Sequence, residues 1–418
     1  MLRQVIEQSP TFSQLSVGRR RLQRDAILSL SSQWSKSWQE LRGLRIGLIC
    51  DNALDVAVAL IALSDIEAEV VMLPVEEASR WKSLDCAACV HPRQSKPGHV
   101  MVTPHTDTPA LPENITLLSS GTTGQPRPRV WRWDALQRQA SLSSSASGGP
   151  WLTQYSMPTF AALQVLIHAL YHATELIFVR DHSDWSGLVR RHSGLGIALA
   201  TGTPTAWRCV VNRPPKHLPH ISSISLGGEI ADARLLSDLA SMFPRTRLRH
   251  VYASSEYGSM FSVSDGRAGF PAAWLNTRRR SGALVLERDG QLHVSPSPGL
   301  PPVATGDLVV RIGDRVMFSG RSDDIINVGG FKVARVRVEE VLRTLVDIAD
   351  VRVFGRRSPI AGNIVCAEIV PRSGRPENVV LQRARAHCRA ELSLAEQPRS
   401  WKLVDRIATT PAGKARLR

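Results

Sequence analysis

Three apolar runs packed into one short stretch bound what this chain can fold into. Residues 44–50 read as a buried strand, 54–63 as a helix and 68–74 as the next strand. Strand, helix and strand at this spacing make a βαβ unit, and such units build a sheet with helices on its faces. The pattern continues downstream. Residues 159–171 are apolar at helical spacing and lead into a strand-like run at 175–179. Further short strands are expected at 221–226, 249–252, 283–286 and 291–294. After Arg321 the pattern restarts, with a helix around 338–345 and strands at 351–354 and 364–369, which predicts a small α+β domain. A chain of 418 residues is also long for a single core. The expected fold class is therefore α/β, with a large N-terminal domain of β-sheets and helices and a smaller C-terminal domain.

Composition excludes several classes. A hydrophobic content of 43% is ordinary for a soluble globular protein. The run at 53–74 is the nearest to a membrane span, but Asp55, Asp65, Glu67 and Glu69 interrupt it. The first residues lack a basic stretch followed by an apolar core, so no secretory signal is expected. Six cysteines in a chain this long are no disulfide framework. Cys86 and Cys89 form one CxxC with no second pair nearby, so metal or redox chemistry is not expected there. A reduced cytoplasmic setting fits. The net charge of +15 is unusual and would attract phosphorylated cofactors, nucleic acids, anionic membranes or acidic proteins. Arg19, Arg20, Arg21 and Arg24 read as a solvated helix face, and no RNA- or DNA-binding motif accompanies them. Neither nucleic acid nor membrane is an expected partner.

Residues 115–118 read as a strand feeding Ser119, Ser120, Gly121, Thr122, Thr123, Gly124, Gln125, Pro126 and Arg127. Such a loop offers hydroxyls and backbone N–H groups at close range, an arrangement suited to a polyphosphate. An ordinary Ser/Thr/Gly surface turn has the same composition. Residues 141–149 form a second, Ser/Gly-rich loop.

Other motifs follow in order. Tyr252 and Glu256 bracket Ala253, Ser254 and Ser255; Thr305, Gly306 and Asp307 come next. Residues 320–333 include Arg321, Asp323, Gly329, Gly330 and Lys332, and Thr409, Thr410, Pro411, Ala412, Gly413 and Lys414 lie near the end. In this order they resemble the signature motifs of the adenylate-forming superfamily: acyl-CoA synthetases, luciferase-like enzymes and peptide-synthetase adenylation domains. The resemblance runs from about residue 41 onward.

The resemblance implies an N-terminal domain over 1–318 that binds acid and ATP, a hinge at 319–324 and a mobile lid at 325–418. A carboxylate is a poor electrophile, so the enzymes of this class transfer AMP to it and release pyrophosphate; a thiol then displaces AMP. Positioning and charge neutralisation carry such a reaction. By resemblance, Ser119, Ser120, Gly121, Thr122, Thr123, Gly124 and Arg127 hold the β- and γ-phosphates, with arginine where the family usually has lysine. Glu256 is implied as the Mg2+ ligand, since hard oxygen suits that ion. Tyr252 is expected to stack on adenine, and Ser255 keeps a hydroxyl where threonine is common. Gly228 and Glu229 resemble the adenine-lining loop. Asp307 is expected to take the ribose hydroxyls, supported by Arg321. Lys414 would balance charge between carboxylate and α-phosphate, reaching the site only in the adenylating conformation. Asp323 resembles the pivot of the lid, and Gly329 with Gly330 would let a pantetheine arm pass. Each of these residues also has a plain reading as a surface or tail residue.

Thr159 stands where amino-acid-activating relatives carry the aspartate that holds an ammonium, which argues against an α-amino acid. Met157, Phe160 and Tyr257 are candidates to line an apolar acid pocket, whereas His168 and His172 read as structural. An aryl acid such as a hydroxybenzoate, or a short or medium acyl acid, fits this reading. No carrier-domain motif follows Lys414, so the expected thiol is the phosphopantetheine of CoA or of a separate acyl carrier protein. From Arg321 onward there are 19 Lys and Arg against 11 Asp and Glu, a charge suited to either partner. The N-terminal part is short for the family, and trimmed subdomains would either shape the pocket or open a homodimer surface. The rival readings are an adenylating ligase with an amine acceptor, a non-catalytic nucleotide-binding regulator and a basic nucleic-acid binder.

Overall fold

In the computed structural model the described residues are 2–7, 14–17, 20–93, 96–102, 109–119, 127–142, 149–172, 174–179, 185, 196–254, 256–279, 281–358, 362–372, 374–409 and 414–415. They form two compact units. The first comprises Met1–Gly202 and Pro215–Ser225, the second Thr203–Pro214 and Leu226–Arg418.

The first unit is α/β. The strand Arg45–Cys50, helix Ala53–Asp65 and strand Glu69–Pro74 form the expected βαβ unit, with the two strands parallel. Asn52 caps the helix by accepting the Leu54 N–H at 2.9 Å. Every residue from Leu54 to Leu63 is buried, so this helix lies within the core. The sheet runs in the order Lys96–Val102, Ala88–Arg93, Arg45–Cys50, Glu69–Pro74, Asn114–Ser119 and Arg127–Arg132. Its inner strands are parallel and each edge pair is antiparallel. Further strands of this unit run in the order Ile197–Gly202, Trp151–Thr153, Leu176–Phe178, Gln14–Val17 and Arg20–Gln23.

Two expectations need correction here. The arginine run does not form a helix face: Arg20–Gln23 is an edge strand, and the helix Arg24–Ser37 begins at its last arginine. The strand alternates, turning Arg20 onto the buried carboxylate of Asp55 at 3.1 Å. The Ser/Gly-rich loop begins later than residue 141, because the helix Trp133–Leu142 runs on to Leu142; 143–148 lie outside the described residues. Cys86 and Cys89 are buried, and burial pushes each thiol up to about 12.

Among the described residues, the second unit includes two separate apolar clusters. The first is formed by an antiparallel sheet of Phe270–Pro271, Arg315–Arg321, Val303–Ile312, Gln291–Ser295 and Leu284–Arg288, with the hairpin Arg247–Ser254 and Gly258–Val263 contributing apolar residues to it. The second lies between 326 and 403. There Phe331–Ala334, Ile325–Val328, Gly362–Pro371 and Ile348–Ser358 form a sheet, joined by Ser400–Leu403, and the helices Arg335–Arg343 and Glu377–Glu391 pack on it. Residues 319–324 therefore fall between the two cores, as the end of the strand Arg315–Arg321 and the short 3-10 turn Ser322–Asp324. Among the described residues no helix is long and apolar enough to cross a membrane.

Candidate active site

The two ends of the expected phosphate loop belong to paired strands. Ser119 ends one strand and stands opposite Arg127, the first residue of the next. The sheet thus fixes both ends of the intervening segment, whatever path it takes. Arg127 is exposed at the head of its strand. Ser120, Gly121, Thr122, Thr123 and Gly124 lie outside the described residues, as does Ser255.

Met157, Thr159 and Phe160 stand together at the start of one helix in the first unit. Thr159 caps the helix Phe160–Tyr171, its Oγ1 accepting the Ala162 N–H at 3.2 Å. Phe160 stacks on Trp131, with ring centroids 4.8 Å apart, and Met157 packs at the edge of the apolar core. Tyr257 belongs to the second unit, where its N–H donates to Ser254 Oγ at 3.1 Å. That bond tightens the turn between Arg247–Ser254 and Gly258–Val263, and Glu256 is exposed at its tip. An exposed carboxylate at a hairpin tip is chemically suited to a hard cation.

In the second unit, Tyr252, Asp307 and Arg321 are brought together. Arg321 donates to Asp307 Oδ1 at 3.0 Å, and the Tyr252 hydroxyl donates to Oδ2. Asp307 in turn donates its own N–H to Thr305 Oγ1 at 3.2 Å. The Tyr252 ring stacks on Phe261 and Phe318, at 5.0 and 5.3 Å. Burial and the neighbouring carboxylate push its phenol well above the usual tyrosine range, so it stays a hydrogen-bond donor.

A bulge creates the Asp307–Arg321 pair. Along Val303–Ile312 and Arg315–Arg321 the register pairs Ile312 with Arg315 and Val309 with Phe318, then shifts by one, so that Leu308 meets Gly320 and Asp307 meets Arg321. Without that shift in register, Asp307 would face Gly320.

Gly228, Glu229 and Lys414 form a second group in the same unit. Lys414 crosses Gly228 so closely that a Cβ there would lie 3.2 Å from Lys414 Cε and 3.8 Å from Nζ. Gly228 also has φ +85°, a conformation that glycine adopts without strain. Glu229 accepts the Ala415 N–H at 2.9 Å on Oε1 and the Thr205 N–H at 3.0 Å on Oε2. Asp323 lies in the 3-10 turn Ser322–Asp324, and Gly329 and Gly330, with φ +55° and +88°, turn the hairpin Ile325–Val328 and Phe331–Ala334.

Sequence reasoning missed a buried charge network. Arg208 pairs with Asp232, and Arg335 pairs with Asp324 at 3.0 Å and Glu339 at 2.8 Å. Arg343 reaches Glu339 at 3.3 Å. Burial works against ionised Asp232, yet Arg208 and Arg343 hold its carboxyl at about 2. Burial pushes Asp350 the other way, above the carboxylate range, despite Arg208 and Arg343. One local signal was available: Thr203 followed by Pro204 is a helix start, and Thr203 does cap the helix Pro204–Asn212. The charge partners lie too far apart in sequence to leave a local pattern.

This architecture, a large N-terminal part of sheets and helices followed by a smaller C-terminal domain and carrying these motif residues, is that of an adenylate-forming ligase. The family profile for AMP-binding enzymes matches residues 49–317, and that for the AMP-binding enzyme C-terminal domain matches 337–414. The chain belongs to the AMP-binding enzyme family. It is 27% identical over 327 residues to a probable 2-succinylbenzoate–CoA ligase of Mycobacterium tuberculosis, covering 72% of this chain and 82% of that protein. Its fold is similar to that of an anthranilate CoA ligase solved with anthranoyl-AMP, with TM-score 0.72, 15% identity and coverage of 99% and 95% of the two chains. It is also similar in fold to o-succinylbenzoate CoA synthetase of Bacillus subtilis, solved with ATP and a magnesium ion, with TM-score 0.71, 16% identity and coverage of 100% and 97%.

Proposed function

We propose that this enzyme adenylates an aryl carboxylic acid with ATP and Mg2+ and passes the acyl group to the thiol of CoA. The observation that carries this reading is Lys414 lying across Gly228, on the loop assigned to adenine, with its backbone held there by Glu229. A compact, mobile cation at that loop is what the first half-reaction needs, because a carboxylate must approach an anionic α-phosphate.

The remaining residues divide the work. The loop 119–127 grips the β- and γ-phosphates as they leave as pyrophosphate, with Arg127 neutralising their charge. Glu256 is the residue suited to magnesium, which when bound neutralises phosphate charge. Asp307, already oriented by Arg321 and Tyr252, has lone pairs left for the ribose hydroxyls. In this reading Tyr252 serves the nucleotide mainly through Asp307, since its ring already stacks on two phenylalanines. Met157, Phe160 and Tyr257 remain the candidates for the acid pocket. Residues 325–418 then rotate about 319–324, Lys414 withdraws, and the pantetheine thiolate attacks the acyl carbon and expels AMP. The kinship with CoA ligases of aromatic acids supports an aryl substrate and CoA. The basic C-terminal part leaves a discrete carrier protein as a second acceptor to assay.

Pyrophosphate release with ATP, magnesium and a panel of aryl, acyl and amino acids, with and without CoA, tests the reading. Release with aryl acids that accelerates with CoA is expected. Release only with amino acids, or none with any acid while ATP still binds, overturns it.

A further inference from the structure

A lysine on a flexible stem contributes little to a barrier until its backbone is fixed, because ordering the segment costs entropy. Glu229 supplies that fixing. One carboxylate oxygen accepts the N–H of Ala415, the residue directly after Lys414, at 2.9 Å. The other accepts the N–H of Thr205 at 3.0 Å, in the first turn of the helix Pro204–Asn212. The helix end is itself secured by the Thr203 cap, at 3.1 Å to the Ala206 N–H. Ala415 also forms a bridge with Thr409. Both Glu229 bonds are charge-assisted, and together they tie the residue after Lys414 to a fixed helix. Beside them, Gly228 leaves room for the lysine stem.

We infer that Glu229 is the positioning residue for Lys414: a latch that holds the lysine-bearing segment for adenylation and lets go when the lid rotates. This rests on the reading of Lys414 given above. A residue that merely capped the helix would support the whole fold and would affect both half-reactions alike.

The test uses the full chain and the acid that turns over fastest in the panel above, hydroxybenzoate being tried first. Adenylation is read as acid-dependent exchange of pyrophosphate into ATP. Thiolation is read as thioester formed from CoA and supplied acyl-adenylate. Hydrogen exchange at the Ala415 amide reads the latch directly and needs no acid. Glu229→Gln keeps one acceptor oxygen and loses the charge. It should lower the kcat of adenylation about ten- to a hundredfold, the worth of a hydrogen bond to a charged group, with KM for ATP changed less. Thiolation should stay within about twofold, which also verifies folding. Ala415 should lose protection in Glu229→Gln and keep it in Lys414→Ala. In a Lys414→Ala background, Glu229→Gln should add no further loss of adenylation. Equal losses in both half-reactions, additive losses in the double variant or unchanged Ala415 exchange would each overturn the latch. If Lys414→Ala cripples adenylation while Glu229→Gln does not, the latch alone falls. If Lys414→Ala leaves adenylation intact, the role of Lys414 falls and the latch with it.

Discussion

The helix Ala53–Asp65 and the helix Arg335–Arg343 are buried within their units by different means. The first is apolar from Val56 to Leu63, with Asp55 paired to Arg20 near its start, and its neighbours in the core are mostly apolar. The second sets Val338, Val341 and Leu342 into the apolar core of its domain, but its charged residues belong to a seam of charges and carbonyls. Arg234 donates to the Arg343 and Leu345 carbonyls, Asn212 to the Ala349 carbonyl at 3.0 Å, and Arg343 to the Val351 carbonyl at 3.1 Å. Asp232 and Asp350 share the field of Arg208 and Arg343. An apolar interface opens only by exposing area to water, at ~25 cal/mol per Å². In a charged seam, opening returns the groups to water, which repays much of what separating them costs. The difference shows which contacts of the chain can be remade during turnover. The proposed rotation of 325–418 runs across the second kind.

Four measurements sharpen or break this contrast. Arg208→Met should cost about 4 kcal/mol by denaturant titration, because Asp232 and Asp350 lose their shared cation. Adding Asp232→Leu should return most of that, whereas no recovery would mean that the seam is packed as tightly as a core. Leu60→Ala, at a position 1% exposed, should cost about 3 kcal/mol and lower both half-reactions together through the folded fraction. A loss confined to adenylation would break the comparison from the other side. The third concerns pH. Asp232 sits near 2 in the fold against 3.8 ordinarily, so its stabilisation is complete above about pH 4 and vanishes as pH falls towards 2. On the order of 2 kcal/mol should disappear in that window, and Asp232→Asn should flatten it. An unchanged acid limb in that variant would remove Asp232 from the seam's energetics. Smallest of all, Asp314→Asn breaks an ion pair with Arg267 at the surface and should leave the melting temperature unmoved; a clear drop would show that surface pairs matter here as much as buried ones.

The contrast also explains what the sequence disclosed. The βαβ unit was legible because burial on all sides leaves apolar runs at 46–50, 56–63 and 70–73. Gln14–Val17 and Arg20–Gln23 were not, because each is only four residues long; the first depends on a parallel partner at Leu176–Phe178, far along the chain, and the second pairs with the first. Asp307, Arg321 and Lys414 were marked by the order of motifs. That Arg321 directly faces Asp307 was hidden, since a bulge sets the pairing. Glu229 was read as part of an adenine loop, and its bond to Ala415 spans 186 positions, beyond any local pattern. The charges of the seam looked like ordinary surface residues until the fold put them inside.

The bulge between Asp307 and Arg321 has a consequence for how the chain tolerates change in length. A point substitution at Ser319 keeps the count of residues and with it the pairing. Insertion of one residue beside it, with the bulge still absorbing a single residue, would bring Gly320 opposite Asp307, so the carboxylate would lose its guanidinium although every motif letter survived. At this hairpin the site is written in residue number as much as in residue type, and an intact set of motifs is no guarantee of an intact grip.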